Sequence, residues 1–415
     1  MSHNRVSLAA TGVAAAAVLV WFLHAAEQDN PKRIDAGGYA TLQEAFDAAP
    51  AGGLVQIPPG RYEITEPLLI TQGDLRVEGS GTATVIVNKN EKGRPALIVR
   101  ASAYAEAATA AEKRRLRLWR VQLADFRITG NPKSGHGVLA EGVNELFVHN
   151  LAIDHNGGDG IRMVDCYEDP RISDSIITYN AGAGLNIIAG HDIVVNANQF
   201  EENQDAVRAI DSFNLCMNGN NIDDHLRHGV VIENTYGSVL SGNMIEECAG
   251  TAVVIGRDSH GITVSANVLA HNNGGGVDLR DAWGSAVSAN TFTINPSWSL
   301  RIGPASGRIT VTGNNFSNSY IGGGRVLREE DFAAEWPKRF HAAGVLIEGA
   351  RDVVLTGNVF SGTAEEAIRA VKDPERLVIS GNIMVDTGRK SGGRGPAISL
   401  GGAKAVIQGL NAAPR

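Results

Sequence analysis

An asparagine-centred signature recurs along this chain at a nearly constant interval, and that interval limits the folds open to it. The pattern hydrophobic-x-Asn/Asp-hydrophobic falls at Asp125, Asn150, Asp174, Asn198, Asn220, Asn243, Asn267, Asn290, Asn314, Asn358 and Asn382. Successive gaps are 22 to 25 residues, apart from one of 44 that is close to two periods. A period of this size signals a solenoid, in which each repeat buries its apolar face only by stacking on its neighbours. A second run precedes most of these positions: Gly137-Val138, Gly160-Ile161, Gly184-Leu185, Gly229-Val230, Gly276-Val277 and Gly344-Val345. Apolar residues then alternate, as in Val277-Asp278-Leu279. Alternation with period two behind a glycine predicts short strands and tight turns, so the repeat is a β-coil. A leucine-rich repeat would need Leu-x-x-Leu-x-Leu spacing, which is missing. Asparagine suits the turn because it tolerates the left-handed backbone region. Stacked about 4.8 Å apart, its amides can also bond along the column.

Taken together, these repeats resemble the right-handed parallel β-helix of the pectate-lyase-like families over residues 34–411. The implied fold is all-β, a right-handed parallel β-helix of about 22–25-residue coils with an N-terminal capping helix. The resemblance is specific for fold and broad for function, since lyases, hydrolases, epimerases and noncatalytic proteins share it. Residues 34–64 carry the expected cap. Thr41 and Glu44 have capping-box spacing, and Leu42, Ala45 and Phe46 make one apolar helical face before Pro50. The Ile57–Tyr62 turn that follows, IPPGRY, resembles the same families' N-terminal cap, whose job is to cover the open end of the stack.

Length and charge agree with this reading. A chain of 415 residues need not split into domains when it grows in one dimension. A formal net charge of −8 argues against a nucleic-acid partner and leaves any anionic polymer dependent on a local basic patch. Cys166, Cys216 and Cys248 fit neither a disulfide framework nor a Cys/His metal spacing. Arg5 followed by an apolar stretch from Leu8 to Leu23 predicts an export signal within residues 1–27, or a membrane tether through residues 6–23. The expected location is therefore periplasmic or extracellular. Oligomeric state is not legible.

Two insertions interrupt the repeat. Residues 101–120 are Ala-rich and then basic, and predict a helix leading into a strand; Lys113, Arg114, Arg115, Arg117 and Arg120 either meet an anionic substrate or, the favoured reading, form a solvated helix end. Residues 317–342 fill the long gap and carry Trp336, a candidate to stack on a sugar ring.

Chemistry on such a scaffold sits where successive coils align outward side chains. On the Gly-initiated strands the outward residues are Leu139, Arg162, Asn186, Arg208, Val231, Val254, Asp278, Arg301, Leu346, Arg369 and Ser399. The residues just before the small initiator are His136, Asp159, Ala183, Asp205, His228 and Thr251. Superposing the two columns places Asp159, Arg162, Asn186, Asp205, Arg208, Arg227 and His228 on adjoining coils. This cluster suits elimination or C5-epimerisation of a uronate polymer, in which a base removes a proton made acidic by neutralising the neighbouring carboxylate. His228 steered by Asp205 is the expected base, and Arg208 with Arg162 the carboxylate clamp. Asp159, Asn186 and Arg227 are the expected substrate contacts. The resemblance permits an arginine, lysine or histidine as base. Neither the Asp-Pro-His motif of mannuronan epimerases nor the vWiDH signature of pectate lyases is present, and Asn234-Thr235 is followed by Tyr236 where polygalacturonases have Asp.

A second cluster, Glu233, Asp278, Arg280, Asp281 and Arg301, is the candidate for inverting hydrolysis by two carboxylates. Cross-coil ion pairs with no catalytic purpose account for both clusters equally well. A noncatalytic carbohydrate-binding or periplasmic accessory β-helix is the alternative from another class. The chain has no cofactor or zinc motif. Asp223-Asp224 and Glu246-Glu247 offer carboxylates to calcium without a complete ligand set. The expectation is an exported carbohydrate-active protein, most simply a polysaccharide lyase or C5-epimerase acting on an anionic polysaccharide.

Overall fold

Each coil contributes one short strand to each of three sheets. The computed structural model describes residues 33–318 and 342–412, together with the backbone of residues 321–322 and 325–326. Sheet I runs from Arg33–Asp35 to Lys404–Gln408, sheet II from Gly60–Ile64 to Ile383–Val385, and sheet III from Leu68–Ile70 to Ile398–Leu400. Sheets II and III each hold 13 strands among the described residues, and successive coils pair in parallel within every sheet. This is the all-β parallel β-helix that the repeat predicted. Strands such as Ile161–Val164 and Leu185–Ile188 alternate buried and half-buried residues, so one face of each feeds the core. The core residues stack as they do in the sequence: Phe292, Phe316 and Phe360 lie ring on ring at 4.7 and 4.8 Å, the interstrand spacing itself.

The asparagine column is a continuous buried ladder. From Asn198 through Asn220, Asn243, Asn267, Asn290, Asn314, Asn358 and Asn382 to Asn411, each Nδ2 donates to the next Oδ1 at 2.9–3.0 Å. Each Oδ1 also accepts the backbone N–H of the preceding rung, for example Asn220 N at 3.1 Å from Asn243 Oδ1. A second buried ladder, on the turn from sheet II to sheet III, joins Asn156, Asn180 and Asn203 and resumes at Asn272 and Asn295.

The ladder corrects one expectation. The left-handed position is the residue before the rung, with φ of 56° at Ala197, 63° at Gly219 and 69° at Gly242. Asp125, Asn150 and Asp174 occupy that left-handed position themselves, at φ of 61°, 51° and 52°. They stand one residue out of register with the ladder, whose place on their coils is held by Phe126, Leu151 and Ser175. Polar turn formers suit both positions, so the pattern alone merges them.

The cap is the helix Leu42–Ala48, which buries Leu42, Ala45 and Phe46. Thr41 Oγ1 accepts from Glu44 N at 3.2 Å, but the Glu44 carboxylate reaches back to Ala40 N rather than Thr41 N, so the expected box does not close. Gln43 both donates to Leu69 O and accepts from Leu69 N, at 3.0 and 2.7 Å. It thereby occupies backbone groups on the first strand of sheet III that would otherwise invite pairing with another chain. In the first insertion, helix Ala110–Arg115 closes a capping box between Thr109 and Glu112 and leads into strand Leu118–Trp119. Arg114 and Arg115 are exposed, as a solvated helix end requires, but Arg117 is not: it stacks on Tyr167 at 4.0 Å and bonds Asp165. Burial pushes the thiols of Cys166 and Cys248 up to about 12, which leaves both inert. The apolar stretch within residues 1–27, Trp336 and most of the second insertion lie outside the described residues.

Candidate functional site

Sheet III positions the candidate site. Its outward column pairs residue for residue as alternation predicted: Leu139, Arg162, Asn186, Arg208, Val231, Val254, Asp278, Arg301, Leu346, Arg369 and Ser399. The second column stacks too, because Gly137 N, Gly160 N, Gly184 N and Ala206 N donate to the carbonyls of Asp159, Ala183, Asp205 and His228.

Carboxylates on this face lie low and guanidiniums stand over them. Asp159 accepts from Asn186 Nδ2 at 3.0 Å and lies 3.6 Å from Arg162 Nη1. Asp205 accepts from Arg227 Nε at 2.8 Å, from Arg208 Nη1 at 3.3 Å and from His228 N at 3.0 Å. Glu233 lies 3.7 Å from Arg208 and 3.6 Å from Arg257. The side chains of Asp159 and Asp205 are 9% and 1% exposed, against 35%, 25% and 41% for Arg162, Arg208 and Arg227. Burial opposes ionisation of Asp205, but the Arg227 pair, the His228 N–H and Arg208 outweigh it and hold its pKa below the usual carboxylate value. The surface offered to solvent is therefore a row of donors fixed from beneath.

His228 does not take the geometry of a base. Its Nδ1 accepts the Thr251 N–H at 3.0 Å, and Asp205 meets its backbone N–H instead of its ring. A neutral ring so held carries its proton on Nε2 and presents a donor. Burial pushes its pKa down, with Arg227 and Arg280 reinforcing and Asp205 opposing that shift. His136, one column member that the cluster omitted, is held in the same way by Asp159 N at 2.8 Å.

The structure divides the residues differently from the two expected clusters. Glu233 joins the first through Arg208. Asp278, 3% exposed on its side chain, is held by Arg280 Nε at 2.7 Å and Arg301 Nη1 at 3.0 Å. Two coils separate Glu233 from Asp278, and the outward Val231 and Val254 on the intervening column are buried. Asp281 leaves this group altogether: it accepts from Asp258 N at 2.8 Å and Trp283 Nε1 at 3.2 Å on the next turn. Sequence reasoning missed Arg257, Glu348 and Lys372. Glu348 bonds Arg301 and lies 3.0 Å from Lys372 Nζ, and its place two residues beyond outward Leu346 was the available signal.

On the turn leaving sheet II, Asp223, Asp224 and Glu247 bring carboxylate oxygens within 4.8 Å of one another. Burial, then Asp224, Glu247 and Glu201, push Asp223 up to about 6. Three carboxylates supply part of the oxygen set a calcium ion takes. Lateral to the face, Tyr167, His191, Phe213, Tyr236 and His260 stack coil on coil with centroids 5.2–5.9 Å apart. Phe213, Tyr236 and His260 are near-parallel, whereas His191 meets Phe213 edge-on at 67°.

Comparison with known proteins gives one family and several solved structures of low identity. The family model described as "Right handed beta helix region" matches residues 136–295 and 257–409. Tailspike protein 2 from Escherichia coli O157:H7 bacteriophage CAB120 is 12% identical over 68% of this chain and 43% of its own, with a TM-score of 0.53. DFA-IIIase from Arthrobacter chlorophenolicus A6, solved in complex with GF2, is 17% identical over 79% of this chain and 84% of its own, with a TM-score of 0.50. The ORF18 protein of Geobacillus virus E2 is 13% identical over 100% of this chain and 65% of its own, with a TM-score of 0.40. The chain thus spans less than two-thirds of either viral protein. The likenesses to the tailspike and to DFA-IIIase are likenesses of fold. No curated protein matches the sequence.

Proposed function

This chain belongs to the right-handed β-helix family, and on that premise we propose that it is a carbohydrate-active protein seating an anionic polysaccharide along the outer face of sheet III. One observation carries the reading: Arg162, Arg208 and Arg227 are presented over sunken Asp159 and Asp205, with Asp205 holding Arg227 through Nε and Nη2 and Arg208 through Nη1, and Asp159 3.6 Å from Arg162. Guanidiniums held in this way keep further N–H groups for a ligand carboxylate and lose little conformational freedom on binding. They give a chain of net charge −8 a face whose most exposed charged groups are guanidiniums.

Among reactions, the face favours chemistry assisted by carboxylate neutralisation, elimination or C5-epimerisation, over hydrolysis. Hydrolysis needs carboxyl oxygens free for the glycosidic oxygen or a water, whereas both oxygens of Asp278 are held, by Arg280 and by Arg301. Within this reading Arg208 and Arg162 clamp the uronate and Asp205 orients Arg208 and Arg227. His228 offers Nε2–H as a hydrogen-bond donor, and Glu233, 3.7 Å from Arg208 on the same face, is the candidate to accept the C5 proton. Export, expected from the Leu8–Leu23 stretch, places the protein where such polymers occur.

A second reading, binding without turnover, is favoured by one specific feature: the ring nitrogen His228 would need as a base is already occupied by Thr251 N–H. One experiment separates the readings. The protein is incubated with polygalacturonate, alginate and a neutral glucan while ultraviolet absorbance, reducing ends, uronate epimer ratio and binding are followed. Uronate binding that weakens steeply with salt and with Arg208→Gln supports the proposal. New absorbance or epimer exchange supports turnover, and binding without either supports the second reading. Equal binding of the neutral glucan, insensitive to salt, would overturn both.

A further inference from the structure

We propose that a cavity beside Trp298, at the far end of the same sheet III face, is a subsite for a single pyranose ring of the polysaccharide. This rests on the reading above and extends it to a second place on the molecule. Two features build the cavity. The first is an aromatic platform. Gly275 has φ of +117°, and a Cβ placed on it would lie 2.6 Å from Trp298 Cε3, 2.6 Å from Cζ3 and 2.8 Å from Cδ2. Near-equal distances to three adjacent ring atoms mean that the indole lies face-on over the Gly275 backbone. Any side chain at 275 would displace it. The ring is therefore seated, half-buried, on a glycine floor, which is how a fixed stacking surface is made.

The second feature is the set of groups opposite the ring. The indole's remaining surface lines a cavity of about 120 Å³ whose wall includes Leu346, Glu365, Glu366, Arg369 and Lys390. Pockets for drug-sized ligands run to roughly 300–1,000 Å³, so this space suits one ring and not an oligomer. A pyranose has apolar C–H faces for an indole and a rim of hydroxyls for carboxylates, a guanidinium and an ammonium. Glu365 and Glu366 can accept from hydroxyls, while Arg369 and Lys390 can donate to a hydroxyl or to a uronate carboxylate. Arg369 lies 3.5 Å from Glu365, with both side chains more than half exposed, so their ion pair is weak and yields readily to a ligand.

Register ties the cavity to the guanidinium row. Arg369 is the outward residue of its strand and lies on the column that carries Arg208, six coils along it. At about 4.8 Å per coil the two places are roughly 29 Å apart, so a ligand reaching both must be an extended oligosaccharide.

The test uses the full chain and titrates it with galacturonate trimer, galacturonate hexamer and glucose hexamer, reading tryptophan fluorescence and heat. Galacturonate hexamer should change the fluorescence of the parent protein, and Trp298→Phe should remove most of that change. Arg369→Gln and Lys390→Gln, both at exposed side chains, should each weaken hexamer binding roughly tenfold, the loss expected for one charge-assisted hydrogen bond. The trimer should be affected by either these variants or Arg208→Gln, but not by both. If Arg208→Gln weakens hexamer binding while the Trp298, Arg369 and Lys390 variants leave affinity and fluorescence unchanged, the subsite is wrong and the guanidinium row stands. If the cavity variants lose binding while Arg208→Gln does not, the subsite stands and the row is wrong. No binding of galacturonate hexamer by the parent protein overturns the subsite.

Discussion

Replacing Asn243 by alanine should be among the costliest single changes available in this chain. Asn243 is 2% exposed and makes four side-chain hydrogen bonds. Its Oδ1 accepts from Asn220 N at 3.1 Å and Asn220 Nδ2 at 2.9 Å, and its Nδ2 donates to Asn267 Oδ1 at 3.0 Å and Met217 O at 3.3 Å. Alanine strands two donors of Asn220 inside the turn, where each unsatisfied group costs roughly 1–3 kcal/mol. A total near about 4 kcal/mol follows, less if water enters the vacated space. The control is Asn150, which bears the same signature in the sequence but stands exposed at φ of 51°, with a single side-chain bond to Asp125 Oδ1 at 2.7 Å. Glycine there relieves left-handed strain and should shift stability by less than about 0.5 kcal/mol. Urea unfolding followed by circular dichroism measures both. Because coils couple only to their neighbours, Asn243→Ala should also lower the denaturant slope if the array parts at the broken rung. A loss below about 1 kcal/mol with an unchanged slope, or an equal loss for Asn150→Gly, would refute the ladder as a stabilising element.

Three further outcomes are expected. Asp205→Asn leaves Arg227 and Arg208 without their shared carboxylate, and should cost about 2 kcal/mol at neutral pH after discounting for the exposed guanidiniums. Because the folded pKa of Asp205 is depressed, its contribution is present above the unfolded value and lost as pH falls, so melting of the variant and parent should converge in acid; parallel curves would contradict this. Gly275→Ala meets both the +117° backbone and the Trp298 ring, and should lower the melting temperature by several degrees, where an unchanged melt would show that the ring moves freely. Asp223 binds its proton more tightly folded than unfolded, with a folded pKa of about 6, so parent stability should decline as pH rises from about 4 to about 6. Asp223→Asn should remove that decline and be the more stable protein above it, as calorimetry across pH would register.

Backbone alternation was legible to the residue. From Leu139 to Ser399 the outward column pairs as the Gly-initiated runs implied, because a one-residue slip would turn every apolar side chain out of the core. The turns were less legible. Asp125, Asn150 and Asp174 share their residue types with the ladder, yet they occupy the left-handed position beside it, and only the backbone distinguishes the two. Side-chain partners were least legible. His228 and Asp205 do stand one coil apart as expected, but the ring turns toward Thr251 N and the carboxylate toward a backbone amide and two arginines. Such choices depend on rotamers selected by neighbours above and below. The platform at Trp298 was beyond reach for the same reason, since it joins residues spread from 275 to 390 through one glycine's dihedral angle.

The Asn314–Asn358 rung spans 44 residues of chain and is 3.0 Å long, the same as rungs spanning 22 to 24. The extra residues lie one strand further on, between strand Asn315–Ser317 of sheet II and strand Val345–Glu348 of sheet III, and the rungs and strand pairings on either side keep their register. Doubling the length of a loop adds only about 0.6 kcal/mol of closure entropy. Grafting on the turn from sheet II to sheet III is therefore nearly free of structural consequence, and the segment there can be exchanged, lengthened or deleted while the stack keeps its register. Inheritance of the scaffold and novelty at its rim are uncoupled in such a chain. Close kin should differ most between Asn314 and Asn358, and a foreign loop spliced there should leave the unfolding transition where it was.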